Sequence, residues 1–298
     1  MIAFISSFLD ISFFEALTKY PELFLNALIA GIIIGIVAPL IGSIIIVRRL
    51  SLIADTLSHF SLAGVYFGVL LSNMFDFKIS PIFMAVVFSI LCTIIMEFLS
   101  GFFKNYKELS MPIVMSFGTA LSGIFIALSK SSTALNGYLF GSIFTVSTTD
   151  LMIILSLTAL IFIFIAIFYR KIITLCFDET QAKISGIKTK VLQYFITIVL
   201  AIFISLFIKI VGVLLISSLM IIPVSASMLI GRSYKQTCII SIIISELAIL
   251  LGIYLSYTFS LPTGSLIVLL SIAFMIVIMI IRYIVRGKKR KPEDINNE

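Results

Sequence analysis

The sequence predicts an all-α polytopic membrane protein, and three observations point to this fold class. The 298-residue chain is 61% hydrophobic, its mean hydropathy is +1.24, and 12% of its residues are charged. Soluble domains carry roughly 25% charged residues. Apolar runs of about 20 residues, long enough to cross a bilayer as helices, recur along the chain and leave almost no room for a soluble domain.

Nine apolar runs are separated by proline, glycine or charged clusters, so we predict about nine crossings, with eight or ten as alternatives. Two runs meet at Lys209 without a loop, and residues 133–146 could enter the membrane without crossing it. We predict an interfacial segment over 1–22, a transmembrane domain over 23–283 and a polar tail over 284–298. The predicted spans are 24–47, 52–72, 80–99, 112–129, 149–169, 191–209, 210–231, 237–258 and 262–282.

The distribution of basic residues predicts the orientation. With the N-terminus outside and the C-terminus in the cytoplasm, 17 of the 21 Lys and Arg residues fall on the cytoplasmic side. The closing run from Arg282 to Lys291 holds six basic residues in ten positions. We expect this run to bind anionic lipid headgroups rather than nucleic acid.

The only histidine of the chain, His59, follows Asp55 by four positions within a predicted span. Residues four apart share a helical face, and a carboxylate with an imidazole suits a first-row divalent metal. Ser51 and Tyr66 fall on or near the same face. Two ligands do not make a stable site, so the pattern predicts a weak transit site or, alternatively, an ordinary Asp–His hydrogen bond.

Two other regions carry polar residues inside predicted spans. Glu246 lies near the middle of a span, where a charge is costly; a structural role, as a protonated carboxyl or a serine partner, is the favoured interpretation. Pro223 stands among serines and predicts a broken helix that lines a pathway. The serines of this predicted pathway wall are Ser217, Ser218 and Ser225.

The longest predicted cytoplasmic loop covers about 170–190. In it Asp178, Ala182 and Gly186 recur every four residues, which predicts one face of a short helix. Small residues there would let another surface approach closely. A docking element and a solvated helix both fit this composition.

The sequence contains no motif for an energy source. It has no phosphate-binding G-x-x-x-x-G-K-[ST] loop and no H-E-x-x-H zinc motif. Energy for transport must therefore come from a partner chain or from an ion gradient.

Five blocks, in the expected order, resemble the membrane permease subunits of ATP-binding-cassette (ABC) importers for zinc and manganese. The most specific is PLIGSIIIVRRLSLIADTLSHFSLAGVYFGVLL at 39–71, in which Ala54 stands where the family usually has glycine. The resemblance covers about 25–281. The other blocks are 137–151, the loop 178–186 with Asp178, Ala182 and Gly186, then 211–227 and 261–270.

The resemblance implies roles for particular residues. Asp55 and His59 correspond to the aspartate and histidine that coordinate the metal in transit. Asp178, Ala182 and Gly186 correspond to the coupling helix that docks on the ATPase. The sequence around His59 resembles the zinc-type members of the family, so it favours zinc as the transported metal, with manganese or iron as the alternative.

The resemblance also implies partners and a location. We expect a second copy of the chain, two cytoplasmic ATPase subunits and an extracytoplasmic metal-binding protein, in a bacterial cytoplasmic membrane. No stably bound cofactor and no enzymatic activity are expected of this chain. The rivals are an ion-driven secondary transporter with Asp55 and Glu246 as relay, and an intramembrane metalloprotease, which the single histidine disfavours.

Overall fold

The chain forms a bundle of long helices in a computed structural model. Within the described residues there is no strand. The structure describes residues 21–75, 80–103, 106–129, 136–141 and 143–289. The helices are α1 (Pro21–Val47), α2 (Leu52–Phe75), α3 (Pro81–Phe102), α4 (Ser110–Ser129), α5 (Asn136–Phe140), α6 (Thr148–Phe177), α7 (Glu179–Ile184), α8 (Thr189–Val211), α9 (Val213–Met228), α10 (Tyr234–Phe259) and α11 (Thr263–Lys289).

Eight of the described helices are long and apolar enough to cross a membrane, namely α1, α2, α3, α4, α6, α8, α10 and α11. The remaining predicted span, 210–231, contains α9, which has 16 residues. At 1.5 Å per residue α9 rises about 24 Å, less than the roughly 30 Å of a bilayer core. An all-helical membrane fold is therefore confirmed, with α9 as a short additional helix.

Contacts between helix ends show that the helices alternate in direction. At one end of the bundle, Lys209 near the end of α8 contacts Asp150 in the first turn of α6. Gly264 at the start of α11 lies against the carbonyl of Phe140 in α5 at the same end. We call this the Lys209 end.

The opposite end, the Arg48 end, joins the other termini. Arg48 follows α1 and donates to the side chain of Gln193 at the start of α8. The rings of Phe177, which ends α6, and Tyr234, which begins α10, are 6.2 Å apart. Met228, which ends α9, lines a small pocket with Tyr234. Because α9 starts beside α5 at the Lys209 end, it traverses the bundle like its longer neighbours.

The break between α8 and α9 falls at Gly212, which has φ +80°, a backbone angle that glycine adopts without strain. The prediction of a broken helix at Pro223 is wrong. Pro223 is buried inside a continuous α9. The apolar run 210–231 is interrupted at its beginning because Val211 and Gly212 are packed closely against the backbone of Gly141.

Burial differs strongly among the spans. In α1, α2 and α8, 67%, 72% and 61% of the most apolar window is buried, whereas the value is 17% in α6 and in α11. Helices α1, α2 and α8 pack on α9, α3 and α4, while α6 and α11 present large aliphatic side chains outward. The core of the bundle is thus built around α1, α2, α8 and α9.

Two helices extend beyond the predicted spans at the Arg48 end. The loop expected over 170–190 is shorter, because α6 continues to Phe177; Ile172 and Leu175 in this extension are buried in a local hydrophobic cluster. Likewise α11 continues to Lys289, into the tail predicted from 284. The predicted segment 1–22 lies outside the described residues except for its last two positions, which begin α1.

Candidate functional site

The candidate site lies in the first half of α2. The turn before α2 contains Arg49 in the left-handed region, with φ +57°. Ile53 then closes the first turn by donating its N–H to the carbonyl of Leu50. Asp55 lies in this first turn, where a negative charge is favourable to the helix dipole. His59 follows one turn later.

Asp55 and His59 occupy the only opening in this part of α2. From Ile53 to Tyr66 every residue is buried except these two, which are half-buried. Because they are four positions apart, both side chains leave the helix on the same side. A span that is otherwise covered by protein therefore exposes one carboxylate and one imidazole together.

Helices α3, α4, α8 and α9 cover the remainder of α2. The Thr56 hydroxyl lies 2.8 Å from the carbonyl oxygen of Leu52 in its own helix and 3.2 Å from that of Met111 in α4, so the starts of the two helices are in close contact here. A Cβ placed on Gly118 of α4 would lie 2.9 Å from the Phe60 ring. Close contacts on these sides hold α2 rigidly, so the direction in which Asp55 and His59 point is fixed by packing.

A serine cluster on α2, α3 and α8 was missed from the sequence. The Ser205 hydroxyl lies 2.8 Å from that of Ser89 and 3.0 Å from that of Ser61, and all three residues are fully buried. Hydrogen bonds between hydroxyls hold membrane helices together. Only the spacing of the serines could have signalled the cluster, since three separate spans contribute one residue each.

The structure does not bring all the predicted pathway residues to one surface. Tyr66 is 1% exposed and its hydroxyl, though buried, has no partner among the described residues. Ser217 and Pro223 are buried within α9, and Ser51 is exposed at the start of α2. Tyr66 is covered by neighbouring helices, unlike Asp55 and His59, although its spacing places it near the same side of α2.

Ser218 and Ser225 behave differently from their buried neighbours in α9. Both are half-buried, and they are seven positions apart, which places them two turns apart on one side of the helix. The Ser218 hydroxyl donates to the carbonyl of Leu214 at 2.6 Å. This side of α9 is left partly open by the neighbouring helices and remains a candidate pathway wall.

Glu246 lies on another pair of helices. A Cβ on Gly35 of α1 would be 2.5 Å from its Oε1 atom, so α1 passes directly over the carboxyl group. Oε1 is buried and has no hydrogen-bond partner among the described residues. Helix α2 is not among the main neighbours of α10. The structure thus separates Glu246 from Asp55 and His59.

The predicted coupling segment forms α7, but its three marker residues do not share an exposed face. The Asp178 carboxylate caps the helix by accepting the N–H groups of Thr180 and Gln181 at 2.8 and 3.0 Å. Ala182 is 0% exposed. Gly186 follows the helix at φ +77°, where glycine commonly ends a helix. The spacing is therefore explained by three separate roles: Asp178 caps α7, Ala182 packs into the bundle, and Gly186 ends the helix.

Ala182 anchors α7 to the bundle. It belongs to a buried cluster, the α7 anchor cluster, that joins the end of α1, the end of α6 and the start of α8. The Cys176 thiol lies 3.8 Å from the carbonyl oxygen of Ile44 beside this cluster. The anchor cluster consists of Ile44, Ile172, Leu175, Ala182, Leu192 and Ile196.

Arg48 connects the same region to the start of α2. Its Nη2 atom donates to Oε1 of Gln193 at 2.9 Å, and it lines a polar cavity of about 410 Å³ together with Cys176 and Glu179. Burial lowers the pKa of the Arg48 guanidinium, while Cys176 and Glu179 oppose that shift. The four-residue turn into α2 is therefore held beside α7.

Within the described residues, no group of three or more His, Cys, Asp and Glu side chains could hold a metal ion. One chain therefore offers Asp55 and His59 as a pair of donors, one oxygen and one nitrogen. Such a pair lacks the four ligands of a closed structural zinc site. The arrangement suits a site that is completed by another group or that binds weakly.

Comparisons with known proteins agree with this architecture. The sequence profile of the ABC 3 transport family matches residues 20–282. The chain is 32% identical over 266 residues to the manganese import system permease protein ScaB of Streptococcus gordonii, covering 89% of this chain and 94% of that one. It is 31% identical over 263 residues to a probable metal transport system membrane protein of Treponema pallidum, covering 88% and 97%.

A solved structure supports the same assignment. PsaBC from Streptococcus pneumoniae in complex with Fab matches with a TM-score of 0.78 at 32% identity, over 93% of this chain and 95% of the matched chain. The family match and the helical spans make this a multi-pass protein of the cytoplasmic membrane. The chain therefore belongs to the ABC 3 transport family, as a permease of ABC importers for metal ions.

Proposed function

We propose that this chain imports a divalent transition-metal ion and that Asp55 and His59 bind the ion during transit. The observation that carries the proposal is their position as the only residues between Ile53 and Tyr66 that are not buried. Carboxylate oxygen and imidazole nitrogen are donors that first-row divalent metals accept. In a family of metal permeases, a paired opening of this kind is the best candidate for the transit site.

A second copy of the chain completes the site in this proposal. One copy supplies two donors, and a twofold axis close to the open side of α2 would bring two carboxylates and two imidazoles together. Four such donors bind a metal without the thiolates that retain zinc firmly. The ion would be held briefly and then released.

Manganese is the cargo we propose, with zinc, which the sequence around His59 favours, as the alternative. The streptococcal relative ScaB is named for manganese import. The donor pair itself accepts either metal. Uptake of radioactive manganese and zinc at equal concentrations, each competed by the other, distinguishes them: a manganese importer keeps manganese uptake when zinc is present in modest excess.

ATP hydrolysis on a separate subunit drives the cycle in this proposal. Two ATPase subunits would dock against α7, whose polar side chains project from the bundle while Ala182 anchors it. Arg48 would carry the movement of α7 to the start of α2. An extracytoplasmic binding protein would deliver the metal at the Lys209 end.

The test measures metal binding by the purified protein and its variants. Asp55→Asn and His59→Gln should each weaken binding at least about tenfold, since loss of even an outer-shell partner of a metal site costs about 10–100-fold. Ser58→Ala is the matched control, because Ser58 is a fully buried neighbour on another side of α2. Unchanged binding in both Asp55→Asn and His59→Gln would remove the site assignment.

Uptake into vesicles separates this proposal from a secondary transporter. Our proposal requires the co-expressed ATPase and internal ATP. A secondary transporter would work without them and would lose uptake in Glu246→Gln. Uptake that follows an ion gradient in the absence of ATP would contradict the proposed energy source but leave the metal site to be judged by the binding test.

A further inference from the structure

A groove opens on the outer surface of the bundle between α1, α6 and α10, near the Arg48 end. We call it the α1–α6–α10 groove. Its volume is about 260 Å³, and its walls are almost entirely apolar. Two of its lining residues, Ile239 and Tyr169, are 59% and 39% exposed. All three helices are candidate spans, so the groove opens on the membrane-spanning surface of the chain.

Lys235 is the one charged residue that lines the groove. It lies in the first turn of α10 and is exposed. No carboxylate of the described residues forms an ion pair with it. The hydroxyl of Tyr234 beside it is directed inward, 3.0 Å from the hydroxyl of Ser43. A ligand at this point would therefore meet an available ammonium group and not the tyrosine hydroxyl.

Most of the groove is lined by aliphatic side chains. Ile239 lies four residues after Lys235, which is one turn, or about 6 Å, deeper along α10. On α6, Ile165 lies one turn deeper than Tyr169. On α1, Leu40 occupies the deeper position. Ile172 and Ile173 lie one turn nearer the rim than Tyr169, so the groove is aliphatic along most of its length and Lys235 adds a cation at its edge. An apolar groove with one cation at its edge matches the acyl chain and the phosphate of a phospholipid.

Basic residues surround the rim. Arg170 and Lys171 follow Tyr169 on α6, and Arg232 precedes α10; all three are exposed. Each basic side chain near an anionic membrane surface contributes about 1 kcal/mol of attraction. A second copy docked on this face about a twofold axis would bring two such clusters together, and like charges in an interface are unfavourable. The charges favour an anionic lipid over another copy of the chain.

We propose that the α1–α6–α10 groove binds an acyl chain of an anionic phospholipid whose phosphate contacts Lys235. The groove shares Ile44 and Ile172 with the α7 anchor cluster. A chain in the groove covers the outer side of the residues that hold α7. Occupancy therefore stabilises the segment proposed to transmit ATPase movement.

Native mass spectrometry of the intact protein tests the proposal. The protein is titrated with phosphatidylglycerol and with phosphatidylcholine of identical acyl chains. We expect tighter binding of phosphatidylglycerol, weakened about fivefold in Lys235→Gln, the change that corresponds to about 1 kcal/mol. Phosphatidylcholine binding should weaken less in this variant, because the choline cation of that headgroup offsets the charge of its phosphate.

Two further variants locate the site. Ile239→Trp should weaken binding of both lipids by filling the groove from its exposed edge. Lys190→Gln is the matched control, since Lys190 is also basic and exposed at the Arg48 end but does not line the groove. It should leave both affinities unchanged. Gel filtration establishes that each variant remains folded before its lipid binding is compared.

Four results would overturn the proposal. Equal weakening in Lys190→Gln and Lys235→Gln would mean diffuse attraction to the basic end. Unchanged binding in Ile239→Trp would place the lipid elsewhere. Competition by glycerol phosphate as effective as that by the whole lipid would mean a headgroup site without a chain. Lipid bound to the monomer but absent from the dimer would mean that a second copy covers the groove.

Discussion

Helices α2 and α6 are both candidate membrane spans, yet they are built in opposite ways. In α2, 72% of the most apolar window is buried, and in α6 17% is buried. Helix α2 is also the least apolar of the described spans. Lipid tails are as apolar as leucine, so aliphatic side chains gain little from leaving lipid, whereas small and polar side chains gain contacts and hydrogen bonds inside protein.

The comparison explains where function lies in this protein. A polar pair such as Asp55 and His59 needs a protein environment that can hold it, and α2 provides one on nearly every side. The exposed large side chains of α6 are mostly Ile, Leu and Phe, which lipid can cover. We therefore expect substitutions in α2 to affect packing strongly and those on the outer side of α6 to affect it little.

The largest expected difference concerns packing volume. A Cβ at Gly64 of α2 would lie 2.5 Å from the carbonyl oxygen of Met84 in α3, so Gly64→Ala should force the helices apart and cost about 1–3 kcal/mol. On α6, Ala166→Leu adds more atoms to an exposed position and should change stability by less than about 0.5 kcal/mol. Thermal unfolding of the detergent-purified variants measures both.

Gly123→Ala is the matched control for that experiment. Gly123 lies within α4, and no atom outside its own helix is within 4 Å of the position its Cβ would take. Alanine there should be neutral or slightly stabilising, because it favours the helix. Equal destabilisation by Gly64→Ala and Gly123→Ala would contradict the packing explanation.

The next effect concerns the ion pair that fixes the beginning of α6. Lys209 Nζ lies 2.8 Å from Oδ1 of Asp150 and 3.0 Å from its Oδ2, and the two side chains are 40% and 13% exposed. A double-mutant cycle with Lys209→Met and Asp150→Asn should give a coupling energy of about 1 kcal/mol. A coupling energy near zero would mean that packing alone positions α6.

The smallest expected effect compares two threonines. The hydroxyl of Thr56 in α2 is within hydrogen-bond distance of the Met111 carbonyl in α4, whereas the buried hydroxyl of Thr158 in α6 has no partner among the described residues. Thr56→Val should cost about 0.6 kcal/mol, the average for hydrogen bonds between membrane helices. Thr158→Val should be neutral or stabilising. The reverse order in unfolding temperature would contradict this assignment.

Much of the fold follows from the sequence because span length and hydropathy are local properties. The eight long helices match eight of the nine predicted spans, and the ninth corresponds to the shorter α9. Helix ends and burial that depend on contacts with neighbouring helices were harder to predict. The extension of α6 to Phe177 and the burial of Ala182 both arise from the α7 anchor cluster, whose members come from four helices.

The candidate site was predictable only in part. The four-residue spacing of Asp55 and His59 marks a shared helical side, but Tyr66 fits that side by spacing too and is nevertheless covered. The ion pair between Asp150 and Lys209 joins residues 59 positions apart, and no local sequence pattern predicts it. Which polar residues meet depends on how the helices are arranged around one another.

The sequence by itself determined that the protein spans a membrane, roughly where its long helices lie and which residue types could bind a metal. These properties depend on composition and on helical periodicity, both of which are local. Only the tertiary structure decided that α2 is enclosed while Asp55 and His59 remain open, that Gly212 rather than Pro223 interrupts the chain, and that Glu246 lies against Gly35. Burial is set by neighbouring helices, and in a membrane hydropathy alone does not reveal which helices are neighbours.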